Sequence, residues 1–116
     1  MREVSVVQTS SGVSVADQVA VADSWWRRLR GLLGRPVPAI GQGMLLLGCG
    51  SIHTVGMTAP IDVAFLDRDG RVVRSLSGIR PWRLGFGGPN AAHALELPSG
   101  RLEETGTAPG DRLTWS

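Results

Sequence analysis

The chain has 116 residues, which is room for one ordinary domain. Apolar residues make up 42% and charged residues 19%, and 16 glycines with 7 prolines cut the chain into short pieces, which excludes a coiled coil, a collagen-like repeat and wholesale disorder. The formal charge of +2 rests on 12 basic residues, all arginine, and is too small for a dedicated nucleic-acid binder; the single cysteine, Cys49, excludes a disulfide scaffold.

Val4 and Val6 alternate with polar partners. Thr9-Ser10-Ser11-Gly12 reads as a turn, and Val13, Val15, Val19 and Val21 follow it. These β-branched residues predict an opening hairpin or two short strands. From Ser24 the period changes. Trp25, Trp26, Leu29, Leu32 and Leu33 share one arc of a helix, with Arg27, Arg28 and Arg30 outside it. Asp23 or Ser24 can cap its first turn, and Gly34, Pro36 and Pro38 stop it. That stripe suits one open end of a small β core better than a membrane surface, because so short a helix buries little apolar area.

Met44-Leu45-Leu46-Leu47 is a short apolar run bounded by glycines, as in a strand buried on both faces. Residues 60–66 form a further strand. Asp67-Arg68-Asp69-Gly70 reverses the chain, and residues 71–76 pair back as a hairpin. Residues 77–90 read as a long loop, and 91–97 and 110–115 as two last strands. The pattern predicts a mainly β, compact antiparallel sandwich or open barrel with one short amphipathic helix, in a single domain spanning 1–116. Glu3 stands where a signal peptide is basic, and no apolar stretch is long enough to span a bilayer. The expected location is cytoplasmic.

Several chemistries fail on their own spacing. The phosphate-binding loop needs a lysine that the chain lacks. Gly48-Cys49-Gly50-Ser51-Ile52-His53 starts like a dinucleotide fingerprint but has histidine at the third glycine position. The nucleophile elbow is missing. No cofactor is therefore expected. A metal site would have to be built from Cys49, His53, Asp62 and His93. In one straight strand Cys49 and His53 would stand about 13 Å apart, too far to share an ion unless Gly50 turns the chain.

Asp62 lies in an apolar strand, where a carboxylate must find donors or stay neutral. It is either a structural acid, fixing the loop that holds His53 through backbone N–H groups, or an acid that faces a ligand. The loop Arg80-Pro81-Trp82-Arg83 offers a flat indole between two guanidiniums that can grip an anion. The alternative is that Trp82 folds under as a plug.

Residues 52–67, from Ile52-His53-Thr54 through Met57 and Pro60-Ile61-Asp62 to Phe65 and Asp67, resemble the DUF192 family, a domain of unknown function in small bacterial and archaeal proteins. The resemblance runs almost the whole chain, through Arg28–Leu33, Gly43-Met44, Asp69-Gly70, Leu95-Glu96-Leu97-Pro98 and Gly110-Asp111. Where many members carry an aromatic–methionine–asparagine stretch, this chain has His53-Thr54 and Met57, similar to a subgroup reading His-Thr and Pro-Ile-Asp. The resemblance implies a mostly antiparallel, jelly-roll-like β-sandwich with a small helix, no established activity, and a groove built from His53, Thr54, Met57, Asp62 and Glu96.

The leading expectation is a binding module for a small polar ligand, a sugar or an anion. Its residues would be His53, Thr54, Met57, Asp62, Arg80, Trp82, Arg83 and Glu96, against an aromatic floor. An enzyme would use His53 with Asp62 or Glu96 as acid–base partners. A protein-interaction domain would use an exposed strand edge or the Trp82 loop.

Overall fold

The computed structural model describes residues 2–22 and 37–116. The strands are β1 (Arg2–Gln8), β2 (Ser14–Ala22), β3 (Gln42–Leu47), β4 (Ser51–His53), β5 (Ile61–Leu66), β6 (Val72–Ile79), β7 (Leu84–Phe86), β8 (His93–Pro98) and β9 (Leu113–Trp115). A short helix, α1 (Arg101–Thr105), precedes β9. Seven strands form one sheet in the order β6-β5-β8-β3-β2-β1-β9, and β4 pairs with β7 in a two-stranded ribbon.

The large sheet curls into a half-barrel. An isolated bridge between Arg71 and Arg112 draws its last strand toward its first, and Leu113 N–H donates to Gly70 O there. Inside the curl lie Val4, Val6, Val19, Val21, Leu45, Ala64, Leu66, Leu95, Leu97 and Leu113. The alternate residues of the central strands, Ile61, Val63, Phe65, Ala94 and Leu46, face outward and are covered in part by Ile52 of the ribbon and Met57. Both faces of β5 are therefore buried, which is why its sequence is a continuous apolar run broken only by Asp62.

Details depart from the sequence expectation. The opening valines make the hairpin that the sequence suggests, β1 with β2, but its register shifts between Val4 and Val6 and again between Val6 and Val7, which puts Val15 and Ala16 side by side in the interior. One pair, β2 with β3, is parallel, so the strands are mostly but not wholly antiparallel. The expected loop over 77–90 instead contains the end of β6 and all of β7. Gly85 makes the ribbon possible: an added Cβ would sit 3.1 Å from Leu76 and 3.3 Å from Ile52. The helix expected over 24–33 lies outside the described residues, whereas α1 had no apolar periodicity to announce it.

Candidate functional site

The predicted residues fall into three places. The first is a knot around Thr54, which is fully buried. Its hydroxyl donates to Arg80 O at 2.6 Å and accepts from Arg83 N–H at 2.8 Å. Its backbone N–H donates to Arg83 O, and its carbonyl accepts from Trp82 and Met57 N–H. Thr54 thus pins the 80–83 loop onto the end of β4. His53, Thr54, Met57, Arg80, Trp82 and Arg83 are brought together here. Their roles differ. Met57 is buried in the outer cluster, His53 Nδ1 accepts from Val55 N–H at 3.2 Å, and Trp82 projects into solvent instead of plugging anything.

Asp62 is the second place. It is fully buried on the inner face of the sheet, paired across to Leu97. Oδ1 accepts from Gly78 N–H at 2.8 Å, and Oδ2 accepts from Gly100 and Leu102 N–H, each at 3.0 Å. The last two are the donors that a five-residue helix exposes at its start, so Asp62 holds α1 against the barrel from another strand. The expectation that Asp62 fixes the loop holding His53 is corrected: it fixes α1 and the end of β6. Its carboxylate points to the inner face and the ribbon packs on the outer one through Ile52, so the two lie on opposite sides of the large sheet.

Glu96 is the third. It is 1% exposed on the outer face, in a row with Val63 on β5 and Met44 on β3. It lines a groove of about 240 Å3 with Glu3, Gln18, Gln42 and Val37. Strand parity separates it from Asp62: neighbouring β8 residues point to opposite faces, and Asp62 stands across from Leu97.

A fourth place was missed. At the open end of the half-barrel, a hollow of about 740 Å3 is lined by Gly48, Asp67, Arg68, Asp69, Asn90 and His93, among others. The Asp67–Gly70 reversal supplies one wall. Asp67 Oδ1 accepts from Asp69 and Arg71 N–H, both at 2.9 Å, so the turn chemistry read from sequence is present and also shapes the hollow. His93 stands at the start of β8, on the same face as Leu95, and packs edge-on against Trp115 with ring centroids 6.0 Å apart. Its Nδ1 accepts from Gly48 N–H at 3.1 Å, which assigns the proton of the neutral ring to Nε2. Burial lowers its pKa from 6.5, opposed by the charge of Asp67. A second hollow of about 230 Å3, floored by Trp115 and Leu113, shares Arg68 and Asp69 with the first. Two sequence signals bear on it, the Asp67–Gly70 reversal and the histidine that follows Pro89-Asn90.

Among the described residues, no three of His, Cys, Asp and Glu converge to hold a metal ion. Cys49 is half-buried against the outer cluster. No helix among the described residues is long and apolar enough to cross a membrane.

Comparison with known proteins places this geometry. A chain from Sinorhizobium meliloti 1021, described as a proposed transcription regulator, superposes with a TM-score of 0.75 at 26% identity, over 97% of this chain and 92% of that one. A protein of unknown function from Novosphingobium aromaticivorans shares the fold at a TM-score of 0.77 and 22% identity, over 97% and 84% of the two chains. A UPF0127 protein of Pyrococcus horikoshii is 32% identical over 113 residues, covering 95% of this chain and 97% of that one. A UPF0127 protein of Pyrococcus furiosus is 30% identical over 114 residues, covering 96% and 97%. The family model for DUF192, described as an uncharacterized ACR, matches residues 6–115. On that match and those relatives, this chain belongs to the DUF192 (UPF0127) family.

Proposed function

We propose that the chain is a binding module for a small polar ligand, and that the ligand is a neutral, sugar-like polyol held in the hollow beside His93. The observation that carries this reading is the hydrogen bond that His93 Nδ1 accepts from Gly48 N–H. With Nδ1 engaged by Gly48, the ring keeps one donor, Nε2–H, at a wall that also offers the Asp67 and Asp69 carboxylates and the Asn90 amide. Alternating donors and acceptors around a concave surface suit hydroxyl groups, each of which donates and accepts. Two carboxylates against one guanidinium, Arg68, disfavour an anion. Trp115, against His93 and flooring the adjoining hollow, supplies an aromatic surface for the apolar face of a sugar ring.

The subgroup with His53-Thr54 and Pro60-Ile61-Asp62 fits this reading as a structural signature. Thr54 and Asp62 both serve the backbone, and the ligand-facing groups lie elsewhere.

The test is a titration of isotope-labelled protein with a panel of monosaccharides and, separately, inorganic phosphate. A sugar of the panel should move the amide signals of Gly48, Arg68, Asn90 and His93 together, and Asn90→Ala, at an exposed position, should weaken that response about tenfold. Silence from every sugar, or shifts by phosphate alone at these amides, overturns the reading.

A further inference from the structure

The two-stranded ribbon carries a second surface, independent of the hollow. Trp82, Leu84 and Phe86 alternate along β7 and the residue run before it, and are 66%, 67% and 58% exposed. Val55, at 40%, lies just beyond the end of β4. Inward-facing Ile52 and Gly85 are buried, whereas among the described residues the outer apolar side chains stay largely exposed. A monomer gains nothing from exposing such a strip.

Trp82 also costs backbone energy. Its φ is 64°, making it the one non-glycine residue at positive φ among the described residues. A bulky side chain there is strained by about 1–2 kcal/mol, and glycine would relieve it. An exposed indole at that φ contributes little to folding in return.

Charge says what the strip would meet. From Gly70 to Leu95 the sequence has four arginines, Arg71, Arg74, Arg80 and Arg83, and no acid. Residues 51–61, which include β4, also lack an acid. The whole-chain charge of +2 conceals this segregation. Two of the guanidiniums are fixed by backbone carbonyls: Arg74 Nη1 donates to Phe86 O at 2.7 Å, and Arg83 Nη1 to Trp82 O at 3.3 Å. Anchored guanidiniums leave further N–H donors in set directions, which suits carboxylates in fixed positions. Tryptophan and arginine with few acids is also the composition of protein interface centres.

We propose that the outer face of the β4–β7 ribbon docks an acidic segment of a partner protein. Its apolar side chains cover Trp82, Leu84, Phe86 and Val55, and its carboxylates meet Arg80, Arg83 and Arg74. A second copy of the chain is disfavoured, because a two-fold contact would set these arginines against their own counterparts. The segment 23–36 is disfavoured on sequence, with four arginines to one acid. A fluid anionic bilayer has no need of guanidiniums in fixed directions.

The test titrates the isotope-labelled full chain with a synthetic peptide alternating glutamate with phenylalanine and leucine. The same peptide with lysine for glutamate, and vesicles of phosphatidylserine and phosphatidylcholine, are the controls. The acidic peptide should move amides of residues 51–57 and 82–87, leave Gly48 and His93 unmoved, and bind more weakly as salt rises. Trp82→Gly, which suits the backbone and keeps the fold, should weaken binding about tenfold, as should Arg83→Glu. Equal binding of the lysine peptide, shifts with vesicles alone, concentration-dependent dimerisation through these residues, or no shift with the acidic peptide each overturns the proposal.

Discussion

Replacing Asp62 by alanine tests the assignment of this acid to structure. Three N–H donors lose their acceptor. The Leu102 bond is buried, and its donor, deprived of Oδ2, has no water to turn to; that costs about 2 kcal/mol. The Gly78 and Gly100 bonds are only partly buried and both glycines are exposed, so water replaces the acceptor at about 1 kcal/mol each. Removing a buried carboxylate also relieves its desolvation, which offsets part of the loss. The net expectation is a destabilisation of about 3 kcal/mol, a large fraction of the 5–15 kcal/mol (roughly) that holds a domain of this size. Asp62→Asn keeps one acceptor oxygen and should lose less, about 2 kcal/mol. Urea unfolding gives the free energies, and hydrogen exchange should quicken first at Leu102 and in α1. A loss below about 1 kcal/mol for Asp62→Ala, with α1 still protected, would refute the reasoning and return Asp62 to the ligand-facing candidates.

Other consequences follow from the same contacts. Thr54→Val keeps the shape but strands Arg83 N–H and Arg80 O, and should destabilise by about 2 kcal/mol with faster exchange at Arg83, while Thr54→Ser stays near the parent. For His93, burial holds the folded pKa below 6.5 despite Asp67, so the unfolded chain binds more protons in the window beneath that value. Stability should therefore rise with pH through that window, be fully present above it, and be lost as pH falls. An imidazole midpoint at or above 6.5 in an NMR titration would contradict this. Gly70→Ala should cost about 3 kcal/mol or more in urea unfolding, because φ is +85° and the new Cβ would collide with Leu113 O where the half-barrel is drawn together.

Much of the fold is legible because hydrophobic patterning is local. The continuous run at β5, the Asp67–Gly70 reversal and the return strand need only near neighbours to specify them, as turn residues and period do. The ribbon was not legible. Strands of three residues are too short to show a period, and Gly85, which reads as loop, is there so that Leu76 and Ile52 can approach. Helix α1 is held by an acceptor forty residues upstream in sequence, so no pattern within Arg101–Thr105 announces it.

The sites divide on the same line. That Asp62 must find donors followed from a carboxylate in an apolar strand, but which donors depended on a helix that returns from the far end of the chain. A small β domain, its family and the residue types available for chemistry can be read from residue order alone. Which of them meet depends on the folded chain, because adjacent residues on a strand face opposite ways and strand order joins distant ones. Thus Asp62 and Glu96 are divided by the thickness of a sheet, while His93 and Asp67 line one opening and Trp115 packs against His93 from the hollow beside it.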